Sequence, residues 1–305
     1  NSGLSITEWE LFRGILPPVT DQSWNNYFSL YKDIPQYKFV NNTITLNEFK
    51  IIFYWEYFHR ILGRIIGLFF LIPFIFFYVT KTIDKRFVPS CFLILLLIIL
   101  QGFVGWYMVK SGLVNNVTVS HYRLSLHLGI AFVIISLLFW NIINIKRESF
   151  KSFFGFGKFN YLFYFLVFII FFQIILGAFV SGLDAGKIYQ TWPLMNYSYF
   201  PEDIVVNSII DLINFESHSL IQFYHRNVAY FITIYILFLG IFIFKMNLKK
   251  LIMPFLILLT ILFIQIFLGI ITLLSDLNIY LASGHQICSL LLILCAINLH
   301  YYQIK

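Results

Sequence analysis

Seven long apolar runs alternate with short polar stretches along the chain, at about 49–79, 88–109, 122–145, 160–181, 217–244, 250–274 and 280–301. A helix crossing a bilayer needs roughly 20 predominantly apolar residues, because every backbone polar group must be bonded within the segment. Each run meets that length, so the pattern predicts seven transmembrane helices and an all-α polytopic membrane protein. The first run is interrupted near its start by Glu56, His59, Arg60 and Arg64. Ionisable groups there point to a site rather than to lipid contact.

The runs also repeat. His59 and His127 stand 68 residues apart and His225 and His285 stand 60 apart, each on an apolar run. Writing each half as helices A, B, C and D puts a histidine on every B and D. The run at 160–181 is helix A of the second half, and Ser181-Gly182-Leu183 at its end matches Ser2-Gly3-Leu4. The expected fold is therefore two pseudo-repeated four-helix bundles, residues 1–148 and 149–305, with the helix A of the first half lying before residue 1. A seven-helix protein is the alternative. Gln101 and Gly105, Gln173 and Gly177, and Gln265 and Gly269 all fit Gln-x-x-x-Gly. That interval places both side chains on one helix face, where glycine permits close approach and glutamine can bond across the interface.

Composition agrees with a membrane protein: 60% of residues are hydrophobic and 11% charged, against about 25% charged in a soluble domain. Cations gather in alternate loops. Lys81, Lys85 and Arg86, then Lys146, Arg147, Lys151 and Lys158, then Lys245, Lys249 and Lys250, and finally Lys305 share one side. By the positive-inside rule that side is cytoplasmic, and 1–48, 110–121, 182–216 and 275–279 face outward. The net charge of +7 thus belongs to a membrane surface and implies no nucleic-acid partner. Cys91, Cys288 and Cys295 form no CxxC pair.

With this orientation all four repeated histidines lie roughly 8–15 Å inside their helices from the outward end, at the helical rise per residue. Histidine in hydrocarbon needs a partner. Two imidazoles per half suit the axial positions of haem better than a bare metal, which would want three or four clustered ligands; hydrogen bonding between helices is the bland alternative. His121, His218 and His300 have no counterpart in the other half and read as interfacial or terminal residues. Arg60 and Arg226 directly follow the B-helix histidines, where a guanidinium can pair with a haem propionate or snorkel to headgroups. Arg64, one turn from Arg60, is a further candidate of the first half.

The halves differ three residues before the B-helix histidine, where Glu56 in the first faces Gln222 in the second. A carboxylate beside a low-dielectric centre can take a proton or stabilise developing positive charge, which glutamine cannot do as a fixed anion. This asymmetry suggests a reactive first half and a relay or structural second half. Exposure of Glu56 to interfacial water would leave it without such a role.

Several motifs together resemble the haem A synthase family of the alphaproteobacterial and mitochondrial type. They are Asn1-Ser2-Gly3-Leu4-Ser5, Gly14-Ile15-Leu16-Pro17-Pro18, Pro35-Gln36-Tyr37-Lys38, Glu48-Phe49-Lys50, Glu56-Tyr57-Phe58-His59-Arg60 and Tyr122-Arg123-Leu124-Ser125-Leu126-His127-Leu128 in the first half. In the second they are Ser181-Gly182-Leu183-Asp184-Ala185-Gly186, Thr191-Trp192-Pro193-Leu194-Met195, Asn214-Phe215-Glu216 and Gln222-Phe223-Tyr224-His225-Arg226. The resemblance implies an eight-helix inner-membrane enzyme of two four-helix halves, bacterial or mitochondrial. It would oxidise the C8 methyl of haem O to the formyl of haem A by successive hydroxylations, for use by cytochrome oxidase. It further implies substrate haem O on His59 and His127, a haem b cofactor on His225 and His285, and a catalytic Glu56. Partners would be a haem O synthase, an electron-transfer partner and the cytochrome oxidase assembly machinery. Ser217 departs from the asparagine usual in relatives. A di-haem electron-transfer protein or a haem transporter would also use two histidine pairs, without needing the Glu56/Gln222 difference.

Overall fold

A computed structural model describes residues 4–7, 16–115, 117–155, 157 and 159–304. Parts of the first two motifs and the cations Lys158 and Lys305 lie outside the described residues. Nine α-helices and no strands are present among the described residues: α1 (Asp21–Lys32), α2 (Pro35–Phe39), α3 (Leu46–Val79), α4 (Val88–Asn115), α5 (His121–Lys146), α6 (Asn160–Gly182), α7 (His218–Lys245), α8 (Lys249–Leu274) and α9 (Ile279–Gln303). The last seven are long and apolar enough to span a membrane. They coincide with the seven apolar runs to within a few residues at most ends.

α1 and α2 were not expected from hydropathy. α1 begins at a capping box, in which Thr20 and Ser23 each bond the other's main chain, so two of the otherwise unpaired first-turn donors are satisfied. Its Trp24, Phe28 and Tyr31, spaced one turn apart, are buried against Phe49 and Phe53 of α3, with Trp24 edge-on to Phe53 at 5.0 Å. Tyr31 donates to Gln36 Oε1 at 3.0 Å and accepts from Asn41 at 2.8 Å, while Gln36 Nε2 reaches the Val117 carbonyl at 3.3 Å. A second capping box, Thr45 with Glu48, starts α3.

The chain forms two compact units, Asn1–Ile130 and Ala131–Lys305. In the first, α1 packs on α3, α2 on α4, and α3 on α4. In the second, α6 packs on α7, α7 on α8, α8 on α9 and α9 back on α6, closing a four-helix bundle. The division between units falls inside α5. Its later part joins the second unit because Trp140 stacks on His300 of α9 and donates to the Lys151 carbonyl at 3.1 Å, and Lys151 N–H bonds Asn144 at 2.9 Å. Large apolar side chains such as Phe69, Ile72, Phe168, Ile234, Ile241 and Phe263 are exposed on the spanning helices, as suits a lipid-facing surface.

Candidate functional site

Both histidine pairs come together. In the first unit the rings of His59 on α3 and His127 on α5 have centroids 6.2 Å apart. In the second unit His225 on α7 and His285 on α9 are separated by 6.5 Å. Two metal–imidazole bonds of about 2 Å, with each ring centre about 1.1 Å beyond its nitrogen, put opposed imidazole centroids about 6 Å apart. The spacing of both pairs therefore fits one iron between each. No cluster of three or more His, Cys, Asp or Glu residues exists among the described residues. His59 is exposed, and the other three histidines are half-buried.

Each pair sits beside a clamp made by the residues flanking the B-helix histidine. Glu56 is buried, and its Oε2 accepts from Ser5 N–H at 2.8 Å, Ser5 Oγ at 2.6 Å and Ile6 N–H at 3.1 Å. Its Oε1 pairs with Arg60 Nη2 at 2.5 Å, and Arg60 also donates to the Ile6 carbonyl at 3.1 Å. The four-residue interval along α3 puts Glu56 and Arg60 on one face. Burial rules out the reading of Glu56 as a carboxylate in interfacial water.

In the second unit Gln222 Nε2 donates to the Tyr189 carbonyl at 2.8 Å, and Arg226 donates to Tyr189 and Leu194 carbonyls at 3.0 and 3.2 Å. Glu56 and Arg60 hold the same helix positions as Gln222 and Arg226, but residues 56 and 222 bond in opposite sense. Where the captured segment offers N–H groups the clamp residue is a carboxylate; where it offers a carbonyl the residue is an amide. Tyr189 is held at its other end too, its hydroxyl donating to Asp203 at 2.5 Å, and Asp203 accepts from Ser219 at 2.7 Å. Burial raises the Asp203 pKa, but the bonds from Tyr189 and Ser219 together hold it below its ordinary value.

Ser5 stands in one of the family motifs, next to the repeated Ser-Gly-Leu, whereas Ile6 and Tyr189 were not singled out from the sequence. Arg64 lies half-buried on α3, one turn beyond Arg60. His300 is terminal in α9 yet fully buried, bonded to the Phe153 carbonyl at 2.9 Å and boxed by Trp140, Phe153 and Tyr164. Burial also holds His121, at the start of α5 beside Tyr122. Ser217 caps α7, accepting from Leu220 N–H at 3.4 Å; serine and asparagine serve about equally well there, so the departure from the family's asparagine carries no structural penalty.

Fold and site define a polytopic helical membrane protein with paired histidines on its spanning helices. The family model for COX15-CtaA, cytochrome oxidase assembly protein, matches residues 1–297, and the chain belongs to that family. It is 48% identical over 298 residues to the "Heme A synthase" of Pelagibacter ubique, covering 96% of this chain and 86% of that one. Proteins of the same name from Parvibaculum lavamentivorans (44% over 230 residues, 75% of this chain and 66% of that one) and Rickettsia africae (42% over 300 residues, 96% and 87%) are similar as well.

Proposed function

We propose that this chain makes haem A, oxidising the C8 methyl of haem O to a formyl group, with His59 and His127 holding the substrate and His225 and His285 holding a resident haem b. The shared name of relatives at 42–48% identity supports haem A synthesis; the observation that supports a two-haem arrangement is the pair of centroid separations, 6.2 and 6.5 Å. The functional halves are residues 1–148 and 149–305. When bound, haem b supplies one-electron transfer.

Glu56 is the charged difference between the halves. Three N–H and O–H donors and Arg60 fix its carboxylate in place. A preorganised anion one turn from His59 stabilises positive charge developing at the substrate methyl, or takes up the proton lost from it. Gln222 holds its segment without a charge, which suits a half that retains a cofactor. Arg60, Arg64 and Arg226 lie on the same helices as His59 and His225 and are the candidates for propionate contact. The setting is a bacterial or mitochondrial inner membrane, with the loops 1–48 and 182–216 outward. Haem O supply by its synthase, an electron-transfer partner and delivery to cytochrome oxidase assembly complete the reading.

The deciding experiment incubates membranes containing the protein with haem O and measures extracted haem O, hydroxylated intermediate and haem A. Accumulation of haem A is expected. Haem bound and released without change of the methyl group would instead favour transport, and reversible reduction alone would favour electron relay.

A further inference from the structure

The three Gln-x-x-x-Gly motifs lie against histidines, not merely against neighbouring helices. A Cβ added to Gly105 on α4 would stand 3.0 Å from His127 Cε1, one on Gly177 of α6 would stand 3.2 Å from His225 Cε1, and one on Gly269 of α8 would stand 2.8 Å from His285 Cε1. In every case the glycine meets the same ring atom. Contacts this close are rarely or never seen for a real Cβ, so the missing side chain makes the space that the imidazole edge fills. In the second unit the glutamine one turn earlier touches the same ring. His285 Nδ1 lies 3.1 Å from the Gln265 main-chain carbonyl, and its Nε2 lies 3.3 Å from the Gln265 amide. At His225 the Gln173 amide donates to the histidine's own carbonyl at 2.9 Å and stands 3.5 Å from Nε2.

We propose that Gln-x-x-x-Gly is a histidine cradle: the glycine of helix A or C receives the Cε1 edge of the histidine on helix B or D, and the glutamine sets the ring's rotation. At His285 the main-chain carbonyl takes the Nδ1 proton, so Nε2 is the unprotonated nitrogen; the Gln265 amide meets it here and would give it up to iron. Metal-bound imidazoles generally need such an outer partner to fix tautomer and plane. Gly105, Gly177 and Gly269 are then positioning residues, and helix packing alone would not explain why each faces a ring rather than a backbone. The inference rests on the reading of these histidines as haem ligands.

The test uses the full chain in detergent, purified with its haem, and compares Gly269→Ala and Gly177→Ala with Gly240→Ala. Gly240 is the packing control, because its added Cβ would lie 2.4 Å from Phe255 Cζ, away from the histidines. Low-spin ferric haem is read by paramagnetic resonance and absorbance at matched protein. The cradle variants are expected to lose most of the low-spin signal and to retain haem about 10-fold or more weakly. Gly240→Ala should lower thermal stability while the haem it holds keeps the native spectrum. If Gly269→Ala does not fold, Gln265→Ala leaves the backbone and the notch intact and should still shift the low-spin spectrum. Unchanged spectra in the folded cradle variants, or an equal change in Gly240→Ala, would overturn the cradle while leaving haem binding in place. Absence of low-spin haem from the unsubstituted protein would instead overturn the reading of the histidines as ligands.

Discussion

Ser5 donates its main-chain N–H and its hydroxyl to one carboxylate oxygen, Oε2 of Glu56, at 2.8 and 2.6 Å. The bonds tie a residue at the very start of the chain to the helix that carries His59. They also make Glu56 the anchor of the segment around Ser5 and Ile6.

Glu56→Gln keeps the size and part of the hydrogen bonding but removes the charge, leaving Arg60 without its counter-ion. Bound haem is expected to survive largely, and the ratio of haem A to haem O to fall strongly at matched haem content. Ser5→Ala keeps the charge and removes one donor, a loss of about 0.5–1.5 kcal/mol, so conversion should fall much less. Near-normal haem A from Glu56→Gln would remove the chemical role; equal loss in both variants would assign Glu56 to anchoring.

Replacing His225 or His285 with alanine removes an axial ligand of the proposed resident haem. Low-spin b haem should drop in both variants, whereas His59→Ala and His127→Ala should chiefly impair haem O conversion. Spectra with extracted haem composition give the comparison. The same loss of resident haem from all four would sink the division of labour.

Gln222→Glu turns a donor toward the Tyr189 carbonyl, 2.8 Å away, into a buried acceptor facing another acceptor. An unsatisfied buried pair costs about 1–3 kcal/mol, more if charged. The variant should lose thermal stability and gain no second oxidising site. New haem A production after inactivation of the first half would contradict that outcome.

Asp203 contributes a pH dependence. Its folded pKa is depressed, so its contribution is present above the unfolded value, about 3.9, and fades as pH falls through the folded one. Asp203→Asn should therefore melt below the native protein at pH 7, with the gap closing under about pH 4. A gap that persists or widens in acid would show that the Tyr189–Asp203–Ser219 bonds do not depend on the carboxylate.

Periodicity over long distances was readable from residues alone. The seven spanning helices follow from apolar length, since a bilayer makes each helix satisfy its own backbone, and no tertiary knowledge is needed to place them. The pairing of His59 with His127 and of His225 with His285 was legible for a related reason: a repeat places equivalent residues on equivalent faces. α1 escaped because its signal is a polar capping box with three aromatics one turn apart, which total hydropathy averages away.

The close contacts were decided by the fold. Sequence showed that residue 56 is acidic and residue 222 is not, yet it could not show that the captured segment presents N–H groups to Glu56 and a carbonyl to Gln222. It showed three Gln-x-x-x-Gly repeats but not that their glycines admit imidazole rings. Helical span and spacing are properties of one segment and its solvent, written locally along the chain. Which donor meets which acceptor depends on how two segments distant in sequence approach within about 3 Å, and only tertiary packing sets that distance.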